Sequence, residues 1–313
     1  MKLVINIPCY NEENTLGLVL RELPKKIPGI DKIEVQIVDD GSRDKTLEVA
    51  RKNQVTRIIR HTKNKGLGES FKDGMQAALE AGADVFVNTD ADNQYPSRYI
   101  AELVQPIIEK QADIVIGNRK PWKVKHFSPL KRVLQYIGNG VTRRILGSRV
   151  PDTVSGFRAY SREAMLKLNP TTKFSYVLDT IMQAVQKGLK IVSISIETNA
   201  PTRKSRLFKS MFQHMKKSGA NLIRIFYLYE PFKTFFYLSL PFFIAGIILI
   251  VRWFVYFFLG SGSVHIQSLI VSSILLITGV LLFALGIIGD SMKINRMLLE
   301  DVLYKMKKQE YGR

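Results

Sequence analysis

Two aspartates separated by one residue, Asp90 and Asp92, have the clearest capacity for chemistry in this chain. They follow the largely apolar run 84–87, which predicts a short buried strand, so both carboxylates fall where a strand gives way to a loop. Like charges so close repel unless a cation or hydrogen-bond donors lie between them. Mg2+ and Mn2+ take oxygen ligands and keep positions open for phosphate. The pair therefore predicts a nucleotide diphosphate held through metal, with an acidic surface turn as the alternative.

Composition indicates a chain that is divided along its length. It has 313 residues, a formal net charge of +19, a pI near 9.9 and 23% charged residues, with a mean hydropathy of +0.01. Residues 1–232 are soluble in character and basic, whereas 234–259 and 266–289 are apolar runs long enough to cross about 30 Å of hydrocarbon. We therefore expect an integral membrane protein. The positive charge fits anionic lipid or phosphorylated substrates, and on charge alone it also fits nucleic acid.

Cysteine usage and the first residues both favour the cytoplasm. The single cysteine, Cys9, permits no internal disulfide and no cysteine zinc cluster, which is typical of a reducing compartment. Met1 and Lys2 lead into a strand pattern of about five residues, too short for the apolar region of a cleavable signal sequence.

Strand and helix patterns alternate along the soluble part, which predicts an α/β fold. The strands are expected at 3–7, 33–38, 57–60, 84–87, 113–117 and 191–197. The helices are expected from the turn at 8–13 to about residue 26, and at 45–52, about 66–81, 96–110, 128–146 and 174–187. In an open α/β sheet, ligands bind beyond the carboxyl ends of the strands. Polar residues that directly follow a strand are therefore site candidates.

The second and third strands are followed by such residues. Asp39 or Asp40 could accept hydrogen bonds from a base or ribose, although the sequence there also suits a simple turn. Residues 64–68, Asn-Lys-Gly-Leu-Gly, allow close backbone approach, and Lys65 beside a helix N-terminus offers a place for phosphate. They lack the third glycine of a dinucleotide-binding motif and follow the third strand, which disfavours a Rossmann dehydrogenase.

Further candidates follow the fifth strand. Residues 118–126 are strongly basic and form either a loop that carries cations toward a phosphate-bearing acceptor or a solvated face. Asp152 could act in catalysis, hydrogen-bond a sugar or cap a turn, and Arg158 could be a structural ion-pair partner.

The C-terminal part carries membrane signals. Residues 207–229 form a basic and aromatic amphipathic pattern that suits the headgroup plane, with packing against the soluble domain as the alternative. The connection 260–265 lacks Lys and Arg while both outer flanks are rich in them, which places both termini in the cytoplasm. Arg252 either snorkels toward the far interface or contacts a partner helix. Residues 293–308 are expected to form a tail helix that returns along the membrane surface.

Taken together, the motifs resemble those of polyprenyl-phosphate glycosyltransferases, which are family 2 glycosyltransferases of the GT-A fold. The residues that carry the resemblance are 8–12 (Pro-Cys-Tyr-Asn-Glu), 39–42 (Asp-Asp-Gly-Ser), 64–68, 90–96 (Asp-Ala-Asp-Asn-Gln-Tyr-Pro) and 155–160 (Ser-Gly-Phe-Arg-Ala-Tyr). The resemblance covers roughly residues 1–210 and includes both the dolichol-phosphate mannose synthase-like and the bacterial polyprenyl-phosphate glucosyltransferase-like members of the family. The paired C-terminal spans resemble the glucosyltransferase-like branch. It implies a GT-A domain followed by interfacial helices and two transmembrane helices.

The resemblance also implies roles for individual residues. The donor nucleotide would contact Pro8, Tyr10, Glu12, Asp40, Lys65 and Asp90. Metal, Mg2+ or Mn2+, would be held by Asp90, Asp92 and Gln94. Phosphate and the acceptor would contact Arg119, Arg132, Arg203 and Ser205, and the catalytic residues would be Asp92, Asp152 and Arg119. The chain departs from the family pattern Arg-X-X-Gly-X-Ser-Lys, because residues 203–209 read Arg-Lys-Ser-Arg-Leu-Phe-Lys without the glycine.

Inverting transfer is the implied reaction: a lipid phosphate oxygen attacks the anomeric carbon of the sugar while metal neutralises the departing nucleoside diphosphate. A phosphate monoester has its second pKa near ~6, so the acceptor is already largely ionised and needs no strong general base. Asp152 is then expected to orient the acceptor or the donor sugar.

The implied organisation is a catalytic domain at 1–206, an interfacial helix at 207–232, a transmembrane hairpin at 233–290 and a cytoplasmic tail helix at 291–313. The expected partners are a nucleotide sugar of the UDP-glucose or GDP-mannose type, undecaprenyl or dolichyl phosphate, and the lipid bilayer. A homo-oligomer is also expected, a tetramer by resemblance. The protein would lie in the inner membrane with its catalytic domain in the cytoplasm, and would serve cell-envelope glycosylation.

Three other protein classes share some of these sequence features. An inactive nucleotide-binding membrane scaffold would not need Asp90, Asp92 and Gln94 together. A processive polysaccharide synthase is disfavoured because the sequence has no Gln-X-X-Arg-Trp motif and only two spans. A nucleic-acid-binding protein would account for the charge but not for the spans.

Overall fold

The computed structural model describes residues 1–53, 55–120, 140, 150–171, 176–200, 224, 227–260 and 265–312. The strands described are β1 Lys2–Cys9, β2 Lys32–Asp39, β3 Arg57–Arg60, β4 Val85–Asn88, β5 Ile114–Asn118, β6 Arg158–Ser161 and β7 Ile191–Ser195. The helices described are α1 Leu16–Glu22, α2 Thr46–Lys52, α3 Leu67–Glu80, α4 Tyr99–Ile108, α5 Arg162–Lys167, α6 Tyr176–Gln186, α7 Pro231–Phe258 and α8 Ile266–Tyr311.

The strands form one seven-stranded sheet in the order β3-β2-β1-β4-β6-β5-β7. All pairs are parallel except those of β6, which runs antiparallel between β4 and β5. Because β6 is reversed, its first residue, Arg158, lies opposite Asn88 at the end of β4. The loop that precedes β6 therefore reaches the same edge of the sheet as the loops that follow β1, β2, β4 and β5.

The central strands are buried along nearly their whole length. This burial follows from the sequence, since β1, β4 and β5 are runs of apolar residues typical of strands covered on both faces. The core of this sheet includes Leu3, Ile5, Val87 and Val115, all fully buried.

The sequence patterns did not predict one strand of the sheet, β6, or the helix that follows it, α5. The expected strands are present, with ends that differ by up to two residues, but no element was predicted where β6 and α5 lie. Arg158 to Ser161 reads Arg-Ala-Tyr-Ser, which lacks apolar alternation, and the strand forms because the edges of β4 and β5 pair with it on both sides. The helix predicted at 128–146 lies outside the described residues apart from residue 140.

By packing, the chain divides into two compact units, one of 1–218 with 302–313 and one of 219–301. Within the second unit, α7 packs antiparallel against the first part of α8 through small residues seven positions apart. These are Ser239 and Gly246 on α7 and Ser272, Gly279 and Gly286 on α8, all buried. Ser272 Oγ donates to the Gly246 carbonyl at 2.8 Å, and a Cβ on Gly246 would lie 2.8 Å from the side chain of Leu276. The absence of a side chain is therefore what permits this close approach.

Helices α7, with 28 residues, and α8, with 46 residues, are both long and apolar enough to cross a membrane. The sequence predicted a separate tail helix over 293–308, whereas the structure continues α8 through these residues. No proline or glycine interrupts the chain between Gly289 and Gly312, so the helix has no local reason to end. The guanidinium of Arg252 lies 5.7 Å from the ring centroid of Tyr256, one helical turn further on. The amphipathic segment 207–229 is outside the described residues except for 224 and 227–229.

Candidate active site

The acidic loop, which carries Asp90, Asp92 and Gln94, begins directly after Asn88, the last residue of β4. Asp92 accepts hydrogen bonds from Gln94, at 3.1 Å from the backbone N to Oδ1 and at 2.9 Å from Nε2 to Oδ2. Asp90 is half-buried and faces Gly156, where an added Cβ would lie 3.6 Å from Asp90 Oδ1. The structure thus brings Asp92 and Gln94 into contact and places Gly156 beside Asp90.

Arg119, one residue beyond β5, forms a two-pronged ion pair with Asp152. Its Nε donates to Oδ2 at 2.8 Å and its Nη2 donates to Oδ1 at 2.9 Å, while its backbone N adds a bond of 3.2 Å to Oδ2. Val154 N donates to Oδ1 at 3.3 Å, and Asp152 is fully buried. Burial by itself would raise the pKa of Asp152, but the charge and hydrogen bonds of Arg119 hold that pKa below its ordinary value. Asp152 is therefore placed to fix Arg119 and is poorly suited to take up a proton.

Four ionisable groups share this part of the site. Burial acts to lower the pKa of Arg119, whereas Tyr95, Asp152 and Asp90 together raise it above its ordinary value. Burial raises the pKa of the Tyr95 phenol, with Asp90 and Asp152 adding to the rise and Arg119 opposing it. Gly156 N donates to Tyr95 Oη at 3.4 Å. The acidic loop, the end of β5 and the loop before β6 therefore meet as one electrostatic cluster.

Asp40 organises the opposite half of the sheet edge. Its carboxylate accepts hydrogen bonds from the backbone N of Lys65 at 2.7 Å and of Gly66 at 2.9 Å. His61 Nδ1 lies 2.7 Å from Asp40 Oδ1, and His61 Nε2 lies 2.9 Å from Asp73 Oδ2. The predicted nucleotide residues Asp40 and Lys65 are thus together. Asp40 also holds in place the loop 64–68, which we call the glycine loop.

The turn after β1 holds the remaining nucleotide candidates. Pro8 lies in β1, Tyr10 is 40% exposed, and Glu12 is buried with its Oε2 accepting from Thr15 Oγ1 at 2.9 Å. The backbone N of Glu12 donates to Thr46 Oγ1 at 2.7 Å, which ties this turn to the start of α2. The aromatic face of Tyr10 is the most accessible of these candidates.

Arg158 has a structural role, which the sequence analysis suggested without identifying its partners. It is fully buried and donates to the carbonyls of Thr153 at 3.1 Å, Ser155 at 2.8 Å and Val177 at 2.8 Å, and to Thr180 Oγ1 at 3.0 Å. These bonds go to neutral oxygens, whereas the sequence suggested an ion pair. Arg158 thereby holds the loop that carries Asp152 against α6.

A buried polar row crosses the sheet beneath the site, and no sequence pattern indicated it. Gln36 Nε2 donates to Asn6 Oδ1 at 2.8 Å, and Asn6 Nδ2 donates to Asn88 Oδ1 at 2.8 Å. Asn88 Nδ2 donates to Tyr176 Oη at 2.8 Å, and that hydroxyl donates to the Gly156 carbonyl at 3.1 Å. The row fixes the end of β4 relative to the loop before β6, on which the acidic loop and Asp152 depend.

Some predicted residues cannot be placed. Arg132, Arg203 and Ser205 lie outside the described residues. Among the residues that the structure does describe, there is no group of three or more His, Cys, Asp or Glu side chains that could hold a metal ion. The predicted metal ligands are two carboxylates and an amide, which is a different donor set.

Comparison with known proteins defines the class. The family Glycosyl transferase family 2 matches residues 4–168, which is over half of the 313-residue chain. The chain belongs to this family and is a glycosyltransferase, as the motifs implied.

The chain is also similar to three named glycosyltransferases. The UDP-N-acetylglucosamine--dolichyl-phosphate N-acetylglucosaminyltransferase of Methanococcus voltae is 30% identical over 213 residues, covering 61% of this chain and 83% of the relative. The undecaprenyl-phosphate mannosyltransferase of Micrococcus luteus is 27% identical over 206 residues, covering 63% and 83%. The dolichol-phosphate mannosyltransferase of Pyrococcus furiosus is 30% identical over 226 residues, covering 69% and 62%.

Solved structures confirm the fold. Glucosyl-3-phosphoglycerate synthase from Mycobacterium tuberculosis, in complex with Mn2+, UDP and glucosyl-3-phosphoglycerate, has a TM-score of 0.55 at 20% identity and covers 72% of this chain and 78% of that one. Its complex with Mg2+ and UDP has a TM-score of 0.53 at 19% identity, with the same coverage. The predicted GT-A fold is thereby confirmed.

Proposed function

We propose that this glycosyltransferase moves a sugar from a nucleotide diphosphate sugar to polyprenyl phosphate. The observation that carries the proposal is that Gly156, in the loop that carries Asp152, lies beside Asp90 and donates to Tyr95 Oη. The acidic loop and the Arg119–Asp152 pair therefore lie at the same edge of the sheet. One side of this arrangement suits a metal-bound diphosphate and the other a phosphate anion. The relatives named for undecaprenyl and dolichyl phosphate, together with two helices able to cross a membrane, support a lipid acceptor.

The acidic loop fits a divalent cation. Asp90, Asp92 and Gln94 offer only oxygen ligands, which Mg2+ and Mn2+ prefer. Gln94 already donates to Asp92 through Nε2, so its amide oxygen is the atom suited to a cation. Mn2+ and Mg2+ accompany UDP in the structures of similar fold, which supports the same use here. A bound ion would neutralise the negative charge that develops on the departing nucleoside diphosphate.

Arg119 is proposed to bind phosphate in an orientation that Asp152 sets. A guanidinium already bound on one side by a carboxylate is fixed in angle, and its remaining N–H groups can still donate. No general base is needed, since the acceptor phosphate is already largely ionised, with a second pKa near ~6. This agrees with the lowered pKa of Asp152.

The other proposed contacts follow the residue types. The nucleotide would lie against Pro8, Tyr10, Glu12, Asp40 and Lys65, and Arg132, Arg203 and Ser205 would contact phosphate. Helices α7 and α8 would cross the bilayer, with the catalytic part on the cytoplasmic side where nucleotide sugars are made.

The test uses the full-length protein in lipid nanodiscs with UDP-glucose, UDP-N-acetylglucosamine or GDP-mannose, undecaprenyl or dolichyl phosphate, and Mg2+ or Mn2+. We expect one donor to give a sugar-linked lipid, and we expect chelation of the metal to stop the reaction. Asp92→Asn, which removes charge but little volume, should lower the rate by at least ~100-fold without changing the unfolding temperature. Transfer that survives chelation, or full activity of this variant at saturating metal, would contradict the metal assignment. Donor hydrolysis that no polyprenyl phosphate can redirect would contradict the acceptor.

A further inference from the structure

We propose that Asn199 is a positioning residue that holds the acidic loop in the geometry needed for the cation and the diphosphate. This inference rests on the proposed function. Asn199 follows β7 and lies 106 residues from the loop residue that its side chain contacts. No motif in the sequence singles it out.

Asn199 binds two consecutive carbonyl groups of the acidic loop. Its side-chain Nδ2 donates to the Asn93 carbonyl at 2.9 Å, and its backbone N donates to the Gln94 carbonyl at 3.0 Å. On its other side, Gln94 donates to Asp92 through both its backbone N and its Nε2. Gln94 is therefore held between Asp92 and Asn199.

The loop needs this support because its backbone is unusual at this point. Asn93 has a φ of 57°, in the left-handed region, which asparagine tolerates better than most residues other than glycine but which is still less favourable than ordinary backbone. A backbone in that region persists where surrounding contacts fix it. The bond from Asn199 Nδ2 to the Asn93 carbonyl is such a contact, and it acts on the residue between Asp92 and Gln94.

The segment that carries Asn199 also reaches the other half of the site. Ile196 N donates to the carbonyl of Asn118, the residue before Arg119, at 2.9 Å. Four residues of chain, 196–199, thus connect the end of β5 to the acidic loop. Loss of the Asn199 side chain should loosen the acidic loop while leaving the attachment at Asn118 intact.

The same segment offers a matched control in Glu197. This residue pairs with Arg98 at 3.1 Å, but the two side chains are 82% and 64% exposed, so the pair contributes little to stability. Glu197→Ala changes the segment without removing a bond to the acidic loop. Asn199→Ala removes only the Nδ2 bond, because the backbone N–H to Gln94 remains.

Two measurements on the full-length protein test the proposal. The first is Mn2+ binding in the presence of UDP, followed by the loss of the electron paramagnetic resonance signal of free Mn2+. The second is hydrogen–deuterium exchange of peptides that cover 88–100, measured without metal. We expect Asn199→Ala to weaken Mn2+ binding about 10-fold, as loss of a group that orients metal ligands typically does. We also expect faster exchange in this peptide alone, an unchanged unfolding temperature, and wild-type values for Glu197→Ala.

The outcomes separate this inference from the proposed function. Wild-type exchange and Mn2+ affinity in Asn199→Ala would overturn the positioning role. Equal effects of Asn199→Ala and Glu197→Ala would also overturn it, because they would reflect general loosening of the segment. If the wild-type protein binds no Mn2+ with UDP, the metal assignment fails, and the exchange measurement still decides whether Asn199 holds the loop.

Discussion

Arg119 and Asp152 act as one unit in this site, and their energetics should show it. The carboxylate is fully buried and the guanidinium is only 16% exposed, so removing one partner leaves the other buried charge without its ion-pair partner. Breaking a buried pair in this way costs roughly 3–5 kcal/mol. The two side chains therefore cannot be assigned independent roles by single substitutions.

The prediction is that Arg119→Ala and Asp152→Ala each lower the unfolding temperature and the transfer rate, and that the double variant is less impaired than the sum of the two. The physical reason is that the second substitution removes the charge that the first had left unpaired. Thermal unfolding and steady-state kinetics of all three variants complete the cycle. Strict additivity would mean that the pair does not act as a unit.

His61 is a second residue whose importance only its surroundings reveal. Each ring nitrogen faces a carboxylate, Asp40 on one side and Asp73 on the other, and the ring is nearly fully buried. Removing the imidazole leaves two carboxylates without their shared partner next to the glycine loop.

We predict that His61→Ala raises the KM for the nucleotide sugar by about 10-fold, as expected from the loss of one charge-assisted hydrogen bond of about 1.5 kcal/mol, while the KM for the lipid acceptor stays near its wild-type value. Initial rates with each substrate varied in turn measure this. His265→Ala, in the second unit, is the control and should leave both constants unchanged. An equal rise in both KM values would show a general disturbance of the site.

At the scale of elements, helix α3 lies close against β1 because Gly74 has no side chain. A Cβ at this position would be 2.4 Å from Asn6 Oδ1, inside the polar row that fixes the ends of β1, β2 and β4. The Gly74 carbonyl also accepts from Gln36 Nε2 at 2.6 Å. The polar row and the helix packing therefore depend on the same glycine.

We predict that Gly74→Ala destabilises the catalytic unit by about 2 kcal/mol, because overfilling a packed interior forces side chains and backbone to shift. Gly17→Ala, within helix α1, is the matched control. A Cβ at Gly17 would meet Val49 Cγ1 at 3.5 Å, an ordinary contact distance. This control should be neutral or slightly stabilising, as alanine favours helix more than glycine does. Thermal unfolding of the two variants makes the comparison, and equal behaviour would show that β1 and α3 can move apart at little cost.

At the scale of the whole molecule, the proposed chemistry requires that donor and acceptor arrive at one site from different phases. The two helices able to cross a membrane would bring the catalytic unit to the lipid. The distribution of Lys and Arg predicts that the catalytic unit and the C-terminal tail lie on the cytoplasmic side. The connection between the helices would then be outside.

This topology predicts the outcome of cysteine labelling. With Cys9 replaced, a single cysteine at Ser263 should react with an impermeant thiol reagent in intact cells, and one at Ser291 should react only after the membrane is opened. Labelling of both positions in intact cells, or of Ser291 alone, would contradict a hairpin with both ends inside.

Local patterns were sufficient for the features that depend on neighbours in the chain. Apolar runs located six of the seven strands and both long helices, because burial requires a continuous or periodic apolar sequence whatever the partner is. Asp90 and Asp92 were singled out because two carboxylates so close together at a strand end suit a cation, and Gln94 was added by the resemblance. The family match confirms the class of protein that these motifs indicated.

Only the tertiary structure decided the contacts between distant residues. Asp152 and Arg119 are 33 residues apart, Asn199 and Asn93 are 106 apart, and β6 exists as a strand because β4 and β5 pair with it on both sides. A residue type alone does not state which partner will satisfy its charge or its hydrogen bonds. That partner is set by the order and direction of strands in the sheet, which places the loop before β6 beside the acidic loop and makes Asp152 a holder of Arg119.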